Sequence, residues 1–238
     1  MGRIIAISSG DLNTTEAMNK YAIRLITGST KRVLFIGTAS HDAEGYIEGM
    51  KAVFTGLGCD EVRALELTRK QYSGQELREM IFRADLIYIG GGDTIFMYNE
   101  WKKHGIDVLL REVYEKDTAV LMGISAGAMC WFSSGCTDSE LAVIRPGRKF
   151  GLAEELLGIH SQTFCPHYED RVEDFAELLE EIKKDALALE SNVAFVEEKG
   201  ATYFIKSVED AKGYEFCYEN GTHVKKELEV KNIGKDHA

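Results

Sequence analysis

The chain has 238 residues, 45% of them hydrophobic and 28% charged, which is ample for one large α/β domain over 1–238 with a sizeable core. Its net charge of −11 excludes a nucleic-acid binder, since phosphate recognition needs clustered Lys and Arg, and disfavours an anionic membrane surface. Five scattered cysteines without a C-x-x-C pair exclude a disulfide framework or zinc site and read as the reduced thiols of a cytoplasmic protein.

From the start, Arg3 to Ser8 (RIIAIS) predicts an apolar strand closed by Ser9-Gly10-Asp11, and Thr14 or Thr15 with Glu16 starts a helix to about Thr27. Lys31 to Gly37 is a second strand, Tyr46 to Leu57 a helix capped at Gly58, Glu61 to Leu67 a third strand and Gln75 to Arg83 a short helix. Ala84 to Gly90 is a fourth strand ending in Gly90-Gly91-Gly92-Asp93-Thr94. Two helices, Ile95 to His104 and Ile106 to Lys116, lead to the strand Ala119 to Met122. Strands separated by helices predict βαβ units and a mostly parallel sheet flanked by helices in three layers, with ligands beyond the strands' carboxyl ends.

The later half is less regular. Met129 to Phe132 continues a helix, Ser133 to Ser139 reads as polar loop, and Leu141 to Ile144 as a strand. Arg171 to Lys184 has the apolar stripe of an amphipathic helix. Asn192 to Glu197, Ala201 to Lys206, Tyr214 to Tyr218 and His223 to Leu228 predict an antiparallel meander. No apolar run approaches ~18 residues and no segment has the order of a signal peptide.

Gly123-Ile124-Ser125-Ala126-Gly127-Ala128 follows a buried strand and matches the G-x-S-x-G nucleophile elbow, which exposes a serine hydroxyl on a sharp strand-to-helix turn. The Ala126 N–H, opening that helix, is free to meet an oxyanion, and the side-chain-free Gly90 to Gly92 loop can supply a second donor. GGGD lacks the order of a dinucleotide fingerprint and the Lys of a P-loop, so nucleotide binding is the weaker reading. A serine needs a base, and that base an orienting acceptor. Of the six histidines, His160 and His167 are the candidates, His167 favoured by its place in Phe164-Cys165-Pro166-His167-Tyr168. For the acid, Glu190 precedes an apolar strand, while Asp138 and Glu140 lie in the loop after the serine helix.

These three motifs in order (Gly90-Gly91-Gly92-Asp93-Thr94, Gly123 to Ala128, Pro166-His167-Tyr168) resemble the dipeptidase E (aspartyl dipeptidase) family of serine peptidases, to which cyanophycinase is related. The resemblance runs from about residue 1 to 205. It implies a fold similar to class I glutamine amidotransferases (flavodoxin-like), Ser125 as nucleophile, His167 as base, and oxyanion donors at Gly92 and Ala126. The acidic member matches Glu190, or Glu140 with Asp138 close by, where the family pattern has Asp. Gly91, Asp93 and Arg171 are the expected substrate-binding residues, with Arg145 and Arg148 as other cations for an N-terminal aspartate side chain. Arg171 also reads as an ordinary surface charge opening its helix. The implied activity is hydrolysis of small peptides, with neither metal nor organic cofactor, by a monomer or homodimer. A cyanophycinase-like hydrolase and a non-catalytic binding protein of the same shell are the alternatives.

Overall fold

The apolar runs of the first half do form strands separated by helices. A computed structural model describes residues 2–140, 142 and 149–234. Arg145, Arg148, His237 and all but Ala142 of the expected strand Leu141 to Ile144 lie outside them. Five strands, β1 (Arg3–Ile7), β2 (Arg32–Ile36), β3 (Glu61–Leu65), β4 (Leu86–Ile89) and β5 (Val120–Ile124), run parallel in the order β1-β5-β4-β2-β3. The intervening helices are α1 (Glu16–Arg24), α2 (Glu44–Gly56), α3 (Gly74–Arg83), α4 (Thr94–His104) and α5 (Ile106–Lys116).

Alternation along each strand explains why β4 and β5 are apolar throughout, and β1 and β2 after their first residue. Ile4, Leu34, Ile87 and Leu121 pack on one face with α3, α4 and α5, whereas Ile5, Val33, Phe35, Tyr88 and Met122 pack on the other with α1 and α2. A parallel sheet covered on both faces leaves no position for an exposed polar side chain.

The second half departs from the expectation of one sheet. After α6 (Ala126–Met129), a second sheet of six strands assembles in the order β13-β12-β9-β8-β6-β7. It comprises β6 (Phe132–Thr137), β7 (Gly151–Ala153), β8 (His160–Cys165), β9 (Ala186–Leu189), β12 (Gly213–Glu219) and β13 (Thr222–Glu227). The remaining strands, β10 (Val193–Glu198), β11 (Ala201–Lys206) and β14 (Val230–Asn232), extend the first sheet beyond β1, with β10 antiparallel to it. The expected meander is therefore two antiparallel pairs in two sheets, β10 with β11 and β12 with β13.

The expected polar loop at Ser133 to Ser139 is largely strand β6. Its two serine hydroxyls are satisfied across the ladder, Ser134 Oγ lying 2.8 Å from Thr163 Oγ1 of β8 and Ser133 Oγ donating to the Ser161 carbonyl. Phe132 stacks on Phe164 at 4.6 Å between ring centres and meets Phe195 of β10 edge-on, which joins the two sheets through one core. In β9, Leu187 and Leu189 face that core, while Ala186 and Ala188 face α7 (Tyr168–Leu179). Among the described residues no helix is long and apolar enough to cross a membrane.

Candidate active site

The carboxyl ends of β1, β2, β4 and β5 share one edge, and the turns leaving them build the site. At the end of β5, Ser125 has φ 53° and ψ −113°, a backbone conformation that costs a non-glycine residue energy and persists only where its surroundings enforce it. Close packing supplies that enforcement. A Cβ on Gly123 would lie 2.1 Å from the Gly127 carbonyl oxygen, and one on Gly127 would lie 2.3 Å from that of Ile89. The Ser125 N–H is shared between the carbonyls of Ile7 and Ser8, at 3.0 and 3.1 Å.

The second turn is Gly90 to Asp93. Gly92 has φ 139°, and a Cβ there would overlap the Ala39 carbonyl, so only glycine fits. Asp93 donates its N–H to the Ala39 carbonyl, and the Tyr46 hydroxyl accepts from the Gly91 N–H at 3.4 Å. The Asp93 carboxylate caps α4, accepting the Phe96 N–H at 3.0 Å and the Ser139 hydroxyl at 2.6 Å. Neither the Gly92 nor the Ala126 N–H meets an acceptor among the described residues.

His167 follows β8 and opens α7. Its Nε2 lies 2.9 Å from Ser125 Oγ, so of the two candidate histidines it is the one that reaches the serine. Burial first, and the Arg171 guanidinium second, hold its imidazole below the ordinary histidine value; Glu169, Asp138 and Asp170 pull the other way. A base neutral at and somewhat below neutral pH is what a serine hydroxyl requires. His160 stands elsewhere, its Nε2 3.0 Å from the buried Glu197 carboxylate, which also accepts the Tyr114 hydroxyl.

A cleft of about 580 Å³ opens over the pair, lined by Gly92, Asp93, Ser125, Asp138, Ser139, Glu140, Phe150, His167, Asp170 and Arg171. Asp138 and Glu140 thus reach the site. Glu190 is engaged elsewhere: its carboxylate accepts the Lys212 N–H at 2.8 Å, and it does not line the cleft. Glu169 is likewise committed, accepting both the N–H and the hydroxyl of Ser191. Among the described residues no carboxylate hydrogen-bonds the His167 imidazole.

Arg171 is only 5% exposed, so its side chain is a wall of the cleft and not a surface charge. Its guanidinium donates to the Cys136 carbonyl and lies 4.5 Å over the Phe150 ring, while Nε has no partner among the described residues. Sequence reasoning missed Ser139, Phe150 and Asp170. Asp170 was detectable, since it sits three residues beyond the histidine; nothing local in the sequence points to Phe150.

Known proteins resemble this chain in sequence and in fold. The model of peptidase family S51 matches residues 4–205. The uncharacterised peptidase YgaJ of Bacillus subtilis (strain 168) is 34% identical over 172 residues, covering 71% of this chain and 70% of that protein. The uncharacterised peptidase Lin0382 of Listeria innocua is 30% identical over 145 residues, 58% of this chain and 65% of the relative. The crystal structure of a peptidase from an acI-B1 actinobacterium superposes with a TM-score of 0.71 at 21% identity, covering 95% of this chain and 94% of that one, and so shares the fold.

Proposed function

Since the chain belongs to peptidase family S51, the dipeptidase E family, we propose that it is a serine-type exopeptidase that hydrolyses dipeptides with an N-terminal aspartate through an acyl-enzyme. The observation that carries this reading is the 2.9 Å contact between Ser125 Oγ, on a strained elbow, and His167 Nε2. In the proposed mechanism Ser125 Oγ attacks the scissile carbonyl as Nε2 takes its proton. The N–H groups of Gly92 and Ala126 hold the oxyanion, His167 returns the proton to the leaving amine, and water then hydrolyses the ester.

Asp138 is the carboxylate we assign to support the imidazolium, with Glu140 the neighbouring alternative. Asp138 lines the same cleft as His167, and its charge favours the protonated ring. The Arg171 guanidinium, buried beside Phe150, suits a substrate side-chain carboxylate, and the acidic rim of Asp138, Glu140 and Asp170 suits its α-ammonium. Asp93 lines the same cleft, whereas Gly91, whose N–H donates to the Tyr46 hydroxyl, does not. We read the fold as a class I glutamine amidotransferase-like arrangement in a single cytoplasmic domain, supported by the parallel sheet, the elbow after β5 and five free thiols.

The same acidic rim favours one second reading, a cyanophycinase-like hydrolase in which those carboxylates meet the guanidinium of a β-aspartyl-arginine unit. Hydrolysis of Asp-X, Leu-X and β-aspartyl-arginine substrates by wild type and Ser125→Ala tests both. Cleavage of Asp-X, lost by roughly 10⁴-fold or more in the variant, is expected. A variant that keeps wild-type turnover sinks the proposal.

A further inference from the structure

The nucleophile and the base stand on different sheets. Ser125 follows β5 of the eight-stranded sheet, and His167 follows β8 of the six-stranded one. The angle and distance between them therefore depend on what ties the two sheets together at this edge. One fully buried residue does so directly. Ser8, just past β1, has no exposed surface and uses every part of its polar inventory in the seam.

Its N–H donates to the Val193 carbonyl at 2.9 Å, anchoring it to β10. Its own carbonyl accepts the Ser125 N–H at 3.1 Å. Its hydroxyl accepts the backbone N–H of His167 at 2.8 Å and donates to the Leu189 carbonyl at the end of β9 at 2.7 Å. A single residue thus holds the backbone of the nucleophile with its main chain and the backbone of the base with its side chain.

His167 needs such a hold. Its backbone is left-handed (φ 52°, ψ 40°), which a side-chain-bearing residue adopts only under constraint. Only a group that both donates and accepts at one atom on a short stem can serve the His167 N–H and the Leu189 carbonyl together, and that is a hydroxyl.

We infer that Ser8 is a positioning residue for catalysis, the clasp that sets the His167 imidazole against Ser125 across the seam between the two sheets. The inference rests on the serine-hydrolase reading above. It concerns placement and no proton transfer: Ser8 does not reach the reacting atoms, and its effect passes through the backbone of His167.

The test is the rate at which a fluorophosphonate labels Ser125, resolved into maximal inactivation rate and inhibitor affinity, for wild type, Ser8→Ala and Ser8→Thr, with thermal melting of each. Displacement of a reacting group by about an ångström costs on the order of 10²-fold, so the maximal rate of Ser8→Ala is expected to fall roughly 10- to 100-fold with affinity unchanged. Ser8→Thr, which keeps the hydroxyl, is expected to recover most of it. Loss of affinity with an unchanged maximal rate, or a folded Ser8→Ala labelled as fast as wild type, overturns the inference. If Ser8→Ala does not fold, Ser8→Cys, which fills the same space with a weaker and longer-reaching group, is read by the same criteria. A wild type that is not labelled at all overturns the serine-hydrolase reading itself, whereas a labelled wild type matched by an equally fast Ser8→Ala removes only the clasp.

Discussion

Ser125 Oγ and His167 Nε2 meet at 2.9 Å although 42 residues separate them, because the carboxyl ends of β5 and β8 arrive side by side at the seam of two sheets. On the proposed reading that contact pairs a nucleophile with its base. Of the candidate carboxylates, Asp138 and Glu140 share the cleft with them, and Glu190 is bonded to Lys212.

Asp138→Asn is accordingly expected to lower kcat roughly 10²- to 10⁴-fold, the range of a lost orienting carboxylate. Glu190→Gln, changing a group outside the cleft, is expected to stay within about twofold of wild type. Steady-state kinetics of the two variants, with Glu140→Gln beside them, discriminate the candidates. A crippled Glu190→Gln beside an active Asp138→Asn would reverse the assignment.

Arg171 predicts both specificity and pH dependence. Arg171→Lys keeps the charge and loses the planar fork, so kcat/KM for Asp-X should fall roughly tenfold to a hundredfold while that for Leu-X changes little. Arg171→Met removes a positive charge that helps hold the His167 imidazole below the ordinary value of 6.5. Its pKa then rises, the neutral base is lost sooner on acidification, and the acid limb of kcat/KM moves to higher pH. An acid limb that stays in place in a folded Arg171→Met would contradict the electrostatic account.

Far from the cleft, His160 and Glu197 predict how stability depends on acid. Burial keeps the His160 imidazole below its ordinary value of 6.5, partly opposed by the Glu197 carboxylate. Below about 6.5 the unfolded chain therefore binds more protons than the folded one. Stability is full above that pH and declines as pH falls through the window beneath it. His160→Gln should flatten this part of the curve. Glu197→Gln, which removes the group favouring the imidazolium, should steepen it. Urea melts between pH 5 and pH 8 measure both slopes, and a His160→Gln slope equal to that of wild type would exclude His160 as their source.

Much of this architecture is written locally. The runs LIYI and VLMGI are apolar throughout, and RIIAI and RVLFI are so after their first residue, because a parallel sheet buried on both faces needs them so; the glycines at 123 and 127 mark where backbones touch. Ser125 and the GGGD loop were legible for the same reason: tight turns admit few residue types. FSSGCT was not legible as a strand, since its two serines find their partners on β8, about thirty residues along the chain. Nor was the burial of Arg171, whose helix reads as amphipathic with arginine at a polar position until Phe150 and the Cys136 carbonyl close over it.

The sequence by itself determined the parallel strands of the first sheet, the elbow serine and the two candidate histidines, because each depends on the steric and hydrophobic demands of a few neighbouring residues. Only the tertiary structure decided that His167 and not His160 reaches Ser125, that Glu190 is occupied by Lys212, and that Ser8 joins the two sheets. Those outcomes are distances between strand ends, and they are set by how two sheets dock through Phe132, Phe164 and Phe195. No local pattern encodes that docking.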